Sequence, residues 1–219
     1  MFKIAVVGGS GPQGKALAYR FAQAGHSVVL GSRVAERAGT AAEAVNAKLQ
    51  GSGVVGAADN DTALQGADVV LLAVPYQGHA ELVASLSDNL AGKVLISCVN
   101  PLGFDQRGPY GLEVAESAAE EAARLAPGAV VVGAFHHLSA PNLWASADLL
   151  DHEDVLVCGD DPAGKAVAIE LAATITGRPG IDAGALRLAR QLEPLTAVLI
   201  NINKRYKARS GVRISGLPE

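Results

Sequence analysis

Through the first hundred residues, short β-branched runs alternate with longer stretches whose apolar residues recur at helical spacing. Lys3–Val7 predicts a first strand. Gln13–Ala24 predicts a helix, with Leu17 and Phe21 four apart on one face. Ser27–Leu30 reads as a second strand and Arg33–Leu49 as a helix, with Ala38, Ala41, Ala42, Val45 and Leu49 forming a weakly apolar side. Val54–Ala57 is a short strand. Asp68–Val74 is strongly apolar with little alternation, the pattern of a central parallel strand covered on both faces. Gly78–Leu90 is a helix and Lys93–Cys98 another strand. This βαβ repetition predicts an α/β fold with a doubly wound parallel sheet.

The second half is less regular. Pro101–Tyr110, rich in Gly and Pro, predicts a loop, and Val114–Leu125 an Ala/Glu-rich helix. Ala129–Ala134 is an apolar strand opening into Phe135-His136-His137-Leu138-Ser139-Ala140-Pro141. Val155–Cys158 reads as a strand ending at Gly159-Asp160-Asp161-Pro162, Ala163–Thr176 as a helix and Gly180–Ala183 as a short strand. Leu186–Lys207 predicts a long C-terminal helix with Leu192, Leu195, Leu199 and Ile202 on an apolar side, kinked or broken at Pro194. No repeat or low-complexity linker divides the chain.

Composition narrows the function classes. The 219 residues are 49% hydrophobic and 18% charged, which excludes a disordered chain. Twenty-five glycines with only 4% aromatics suit close helix-on-sheet packing. A formal net charge of −4 offers no bulk attraction for nucleic acid. The basic run Asn203–Arg209 reads as the solvated end of the last helix, where cations favour the dipole; a site for an anionic ligand is the alternative. Cys98 and Cys158 lie in apolar strand-like segments without metal or redox spacing and read as buried thiols. No apolar run reaches the roughly twenty residues that span a membrane, and the N-terminal run leads straight into a glycine loop rather than a cleavage site. A cytoplasmic protein with no membrane partner is expected.

That glycine loop, Gly8-Gly9-Ser10-Gly11-Pro12-Gln13-Gly14, follows the first strand and opens the first helix. It parses as Gly9-x-Gly11-x-x-Gly14 or as Gly8, Gly11 and Gly14 at three-residue spacing. Either way the backbone can turn tightly, approach a pyrophosphate without a Cβ in the way, and seat the helix against the sheet. Pro12 fits the first helical turn without losing a hydrogen bond, and the free amides there would face phosphates. Dinucleotide binding follows, with Gly9, Ser10, Gly11, Pro12, Gln13 and Gly14 as contacts. An NAD site would carry an acid at the tip of the second strand; here the sequence is Leu30-Gly31-Ser32-Arg33. Ser32 can donate to a 2′-phosphate and Arg33 can clamp it, which selects NADP(H). Ser32 can also cap the next helix while Arg33 is merely solvated; capping does not exclude phosphate binding.

Ligands of an open α/β sheet lie beyond the carboxyl ends of its strands. The segments ending there are Ala73-Val74-Pro75-Tyr76, Ser97-Cys98-Val99-Asn100-Pro101, Ala134-Phe135-His136-His137-Leu138 and Asp59-Asn60. Val74 and Pro75 would floor the nicotinamide ribose, with Asn100 and His136 as further cofactor contacts. His79, early in a helix at the same rim, serves equally as a ligand contact or as a packing histidine. His136 and His137 lack a third convergent ligand, so no metal site is expected. No Tyr-x-x-x-Lys or Ser-x-x-x-Lys arrangement follows the crevice strands to protonate a carbonyl. Hydride transfer between two redox cofactors needs no such donor, only positioning and exclusion of water.

The chain resembles the NADPH-dependent reductases of coenzyme F420, a deazaflavin. The matching pieces are GGSGPQG at 8–14, GHSVVLGSR at 25–33, GAFHHLSA at 133–140, VCGDD at 157–161 and GRPGIDAGALRLARQLEPLTAVLININ at 177–203, in the family's order. The resemblance implies reversible hydride transfer between NADP(H) and coenzyme F420 by a small homodimer. It implies a Rossmann-type NADP(H)-binding domain over 1–150, and a small C-terminal α/β extension over 151–219 that packs back and completes the acceptor pocket. It places the family's serine–arginine pair on Ser32 and Arg33, its strand-end histidine on His136 and the aliphatic residue two further on at Leu138. His136 and Leu138 would orient the ring rather than act as base; His137 has no role in it. The SCVNPLG segment and the basic NKRYKARSG tail depart from the family pattern. A reductase of a flavin or of a small imine or ketone, and a non-catalytic NADP(H)-binding sensor or scaffold, are the competing functions.

Overall fold

The computed structural model describes residues 1–49, 51, 53 and 55–217. It begins β1 (Lys3–Val7), α1 (Pro12–Gln23), β2 (Ser27–Ser32), α2 (Ala35–Leu49), β3 (Val55–Asp59), α3 (Asn60–Leu64), β4 (Val69–Leu72), α4 (His79–Leu90) and β5 (Val94–Ser97). Val54, expected to open the third strand, lies outside the described residues. Then come β6 (Leu102–Asp105), β7 (Gly108–Gly111), α5 (Ala118–Leu125), β8 (Val130–Gly133), α6 (Ala140–Ala145), β9 (Leu156–Gly159), α7 (Pro162–Thr176), β10 (Ile181–Gly184), a turn of 3-10 helix (Leu186–Leu188) and α8 (Ala189–Tyr206).

One eight-stranded sheet runs β10-β9-β8-β5-β4-β1-β2-β3. All its neighbours pair parallel except β8 and β9, which are antiparallel through Val132 with Gly159 and Gly133 with Cys158. This is the doubly wound Rossmann arrangement: the chain leaves β1 toward β2 and β3, then returns on its other side to β4, opening a crevice at the reversal. Residues of alternate parity on each strand feed two cores. Ile4, Val6 and Leu71 pack with α1 and α2 on one face; Ala5, Val7, Val70 and Leu72 pack with α4 and α5 on the other. That two-sided burial is why β4, Val-Val-Leu-Leu, shows no polar alternation.

Several expectations are corrected. Pro101–Tyr110 is not wholly a loop: β6 and β7 form an antiparallel hairpin, turned by the Asp105 carboxylate accepting the amides of Arg107 and Gly108. The helix expected from Val114 starts at Ala118, where Ser117 and Glu120 form a capping box. The short helices α3 and α6 were not foreseen. The last helix runs unbroken through Pro194, whose ring side lies where a Cβ on Gly111 of the hairpin would stand, 2.7 Å away. Ile202 faces out rather than joining the buried side, which is made by Leu192, Glu193, Ala197 and Leu199.

The C-terminal region is tied to the first helix by Arg20. Its buried guanidinium donates to the carbonyls of Ser146 and Asp148 at 2.7 Å each and of Ile175 at 3.2 Å. After α8 the chain crosses back as an irregular strap. The Asp154 amide donates to Val212 O at 2.7 Å, and Ile214 N–H to the Asp154 carboxylate at 2.8 Å. Among the described residues no helix is long and apolar enough to cross a membrane.

Candidate functional site

The turn from β1 into α1 resolves the two parses of the glycine loop. Gly8 is the left-handed residue, φ +82°, and a Cβ there would stand 2.5 Å from the Ala73 carbonyl oxygen. Gly14 lies so close beneath it that a Cβ would come within 2.7 Å of Gly8 O, and one on Gly9 would strike Leu30. Gly8 and Gly14 therefore make the turn and the helix–strand approach. Pro12 opens α1 and no side chain caps the helix; the Gly11 amide is spent on Gly8 O at 3.0 Å and Pro12 has none, so Gln13 and Gly14 carry the uncapped first-turn amides. Gln13 reaches across the crevice with its Nε2 3.4 Å from Phe135 O.

Two lobes extend from this loop. The first, 550 Å³, is lined by Gly8, Ser10, Ser32, Arg33, Arg37 and Asn60, among others. Ser32 Oγ accepts the Val34 amide at 3.2 Å, as expected of a residue opening the next helix, and that bond spends a lone pair rather than its proton. Arg33 and Arg37 are exposed. Arg37 escaped sequence reading, although it sits four residues after Arg33, one turn along the helix. Below them Asp59 caps α3 by accepting Thr62 N–H at 2.8 Å, and that bond holds its pKa below the usual carboxylate value.

The second lobe, 560 Å³, shares Gly11, Ala73, Val74 and Pro75 with the first, so the two form one cleft. Its walls come from four places: Pro12 and Gln13, Cys98 and Asn100 at the end of β5, His136 to Pro141 after β8, and Thr196, Leu199, Ile200 and Asn203 of α8 with Ser210 of the strap. Among the described residues no Asp, Glu, Lys or Arg lines it. The α8 residues repeat at helical intervals, but only the fold brings that face over the crevice. The strap is held there by Asn203 Oδ1, which accepts Ser210 N–H at 2.6 Å.

The β8 loop is tightly wedged. Phe135, fully buried, holds φ +62°, a conformation that costs a residue with a Cβ of order 1 kcal/mol or more. The His136 ring packs over Gly133, where an added Cβ would stand 3.1 Å from its Nε2 and 2.9 Å from the Cys158 sulfur. Neither His136 ring nitrogen makes a hydrogen bond of ordinary geometry. Burial, with His137 adjoining, lowers its pKa to about 3 against a weak opposing pull from the Val99 backbone, so the ring is neutral. His137 Nε2 meets the Asp154 carbonyl at 2.7 Å, and burial lowers its pKa as well. His137, without a role in the sequence reading, thus joins the β8 loop to the segment that holds the strap.

Both cysteines are buried, and burial pushes the Cys158 thiol up to about 12 and Cys98 higher still. Neither is a nucleophile at neutral pH. His79, open to two roles in the sequence, takes packing over cofactor contact. Its side chain is fully buried beneath α4 and bonded through Nδ1 to Glu121 at 2.6 Å, so it packs α4 against α5 and lines neither lobe. Ser10, Gly11, Pro12, Gln13, Ser32, Arg33, Val74, Pro75, Asn100, His136 and Leu138 all come to the cleft. Gly9 and Gly14 lie behind it. Among the described residues no group of three His, Cys, Asp or Glu could hold a metal.

An uncharged lobe opening directly off a dinucleotide loop is the architecture of a nicotinamide-nucleotide oxidoreductase. Known proteins make the class specific. Residues 3–101 match the family described as NADP oxidoreductase, coenzyme F420-dependent. The F420-dependent NADP reductase of Methanothermobacter thermautotrophicus is 42% identical, the match covering 100% of this chain and 97% of that protein. That of Methanothermobacter marburgensis is 38% identical over 99% of this chain and 100% of its own. A crystal structure from Arthrobacter sp. FB24, of a protein proposed to be an F420-dependent NADP reductase, superposes with a TM-score of 0.80 at 28% identity, covering 99% of this chain and 100% of that one. The chain belongs to the F420-dependent NADP reductase family and is an NADP(H)-binding oxidoreductase.

Proposed function

We propose that this protein transfers a hydride reversibly between NADP(H) and the deazaflavin coenzyme F420 within the one two-lobed cleft. The observation that carries the reading is the second lobe: it adjoins the dinucleotide loop, encloses 560 Å³, and among the described residues is lined by no charged side chain. Its two histidines are held neutral by burial, so the walls offer no ready proton donor. Reduction of a simple carbonyl needs such a donor; hydride exchange between two redox rings does not.

The residues present fit the dinucleotide. The glycine turn leaves no room for a Cβ and the start of α1 is uncapped, which suits a pyrophosphate. Ser32, Arg33 and Arg37 would take the 2′-phosphate, and Val74 and Pro75 would floor the ribose next to the ring. Bound there, reduced nicotinamide supplies the hydride and the deazaflavin accepts it, or the reverse. Leu138, Leu199 and Ile200 keep water from the lobe, while His136 and Leu138 set its depth. In this reading residues 1–150 hold the nucleotide, and 151–219, through α8 and the strap, complete the acceptor lobe. The homodimer implied by the resemblance belongs to the same reading. The exposed apolar residues Val198, Ile202 and Tyr206 on α8 support it, and light scattering tests it.

The experiment follows the deazaflavin absorbance band while protein is mixed with oxidised coenzyme and NADPH, then NADH. Fast bleaching with NADPH and slow bleaching with NADH is the expected result. Equal rates would overturn the 2′-phosphate assignment alone. No bleaching, with NADPH shown to bind, would overturn the acceptor.

A further inference from the structure

Thr196, Leu199, Ile200 and Asn203 all line the second lobe. The last three follow Thr196 at three, four and seven residues, so the four share one stripe of α8. Asn203 lies near the C-terminal end of that stripe, where the strap begins its return. Its Oδ1 accepts the Ser210 N–H at 2.6 Å and the Ser210 hydroxyl at 2.8 Å. A backbone amide only donates, so the atom that meets it must be the oxygen. The Asn203 amide therefore cannot flip without losing both bonds. That leaves Nδ2 fixed on the other arm of the amide with its two protons unspent, for it makes no hydrogen bond among the described residues.

Nδ2 differs from the other unpartnered polar atoms of the lobe. Asn100 Oδ1, both His136 nitrogens and His137 Nδ1 are sealed away from solvent and out of a ligand's reach. Asn203 is partly exposed, and its Nδ2 is not among the sealed atoms. Ser139, on the same lobe, caps no helix amide, and its hydroxyl rotates to donate or accept as a ligand demands. The Asn203 Nδ2 can only donate, so the group that answers it is an acceptor. Among the described residues no cation lines the lobe. A phosphate or carboxylate would leave water there without a counter-charge, whereas a neutral carbonyl needs none. Asn203 does not line the first lobe, which holds the dinucleotide in this reading. Resting on the hydride-transfer reading above, we propose that Asn203 Nδ2 donates a hydrogen bond to a carbonyl oxygen on the pyrimidinedione ring of the deazaflavin. The Ser210 clamp holds the donor at a fixed angle, so the bond sets the rotation of that ring in its own plane before hydride transfer.

The test rests on Asn203→Asp. A carboxylate oxygen still accepts both Ser210 bonds, so the strap stays held and only the donor is exchanged for an acceptor. Asn203→Leu, close in shape, removes donor and clamp without adding charge. Binding of the oxidised deazaflavin is titrated by its own fluorescence in the absence of nucleotide. NADPH binding is read from the fluorescence of Trp144, the only tryptophan. Both variants are expected to bind the deazaflavin about tenfold more weakly than the wild type, with NADPH affinity little changed. The penalty should persist with the deazaflavin chromophore stripped of its anionic tail. Wild-type affinity in Asn203→Asp, with loss only in Asn203→Leu, overturns the proposal, because Asn203 then only anchors the strap. Loss in Asn203→Asp alone also overturns it, since the added charge explains that result. Equal loss for deazaflavin and NADPH, or a penalty that vanishes on the stripped chromophore, puts the bond on another group and overturns it as well. If the wild type binds the deazaflavin but transfers no hydride to it, the functional reading falls, while the titration still decides the role of Asn203.

Discussion

The 2′-phosphate is the chemical difference between NADPH and NADH, and the groups that the proposed reading sets against it are Ser32, Arg33 and Arg37, which line the first lobe. A charged hydrogen bond from arginine to phosphate contributes about 1.5–3 kcal/mol, or roughly tenfold to more than a hundredfold in binding. Arg33→Ala is therefore expected to raise KM for NADPH by about 10- to 100-fold, with kcat little changed and NADH turnover nearly unaffected. Arg37→Ala, in the first turn of α2, should cost about threefold to tenfold. Steady-state kinetics with both nucleotides check this; an equal loss for NADPH and NADH would place the arginines elsewhere on the dinucleotide. Ser32 and Arg33 were legible in the sequence because they end a strand that the pattern itself predicts. Asn100 was legible for the same reason. Thr196, Asn203 and Ser210 were not: they join the lobe only after α8 and the strap fold back across nearly a hundred residues of chain. His79 was left between two roles because a rim position in the sequence does not say which way an imidazole turns; Glu121, forty-two residues on, draws it inward.

At the scale of elements, α5 and α8 meet through a carboxylate. Glu193, buried in the second turn of α8, accepts the amides of Ala118 and Ala119 at 2.9 and 3.0 Å, satisfying the start of α5 from outside its own capping box. Burial raises its pKa to about 7, with Glu120 and Glu121 nearby adding to the rise and the two amides opposing it. The folded protein thus holds this proton more tightly than the unfolded chain. Its contribution is fully present below about pH 4.5 and is lost as pH rises through 7, on the order of 3 kcal/mol across the window. Between pH 5 and 7.5 the buried His136 and His137, neutral when folded but protonated in the unfolded chain at the acid end, pull stability up with pH while Glu193 pulls it down. Calorimetric melting should therefore show the stability of the wild type relative to Glu193→Gln falling as pH rises. In Glu193→Gln some slope will persist, because burial raises the Glu153 carboxyl too. Equal slopes in the two proteins would mean that Glu193 is ionised throughout. The sequence shows the LEPLT segment but not this joint. It likewise shows glycines and prolines at 101–111 but not that Gly111 makes space for Pro194, the contact beside which the helix continues unbroken. Turn residues mark where regular structure is interrupted; they do not reveal a hairpin whose partner surface is a distant helix.

For the whole molecule, hydrophobic pattern revealed the parallel strands and their covering helices but not the antiparallel pairing of β8 with β9, since apolar spacing carries no sign for strand direction. What holds the later half of the chain against the first is likewise invisible in the pattern, because it rests on a charged residue inside an apolar helix. Arg20 lies among Ala16, Leu17, Ala18 and Phe21, is nearly as buried as they are, and spends three hydrogen bonds on the carbonyls of Ser146, Asp148 and Ile175. Tyr19 meets Trp144 edge-on at 5.6 Å, and Lys15 lies 4.4 Å over the same indole, so α1 also grips α6. The residues that open α6, Ala140 and Pro141, line the second lobe. Arg20→Met keeps most of the volume but leaves the carbonyls without donors. It is expected to cost about 3 kcal/mol, since orphaned buried acceptors carry their desolvation penalty and no new bonds replace them. The same loosening should reach the lobe through α6. Urea unfolding followed by Trp144 fluorescence should then show an earlier midpoint, and KM for the deazaflavin should rise more than KM for NADPH, whose loop lies on the other side of α1's first turn. An unchanged midpoint would mean that the three bonds only offset the cost of burying the guanidinium. In that case the two halves would be held by the continuous sheet and its apolar faces alone.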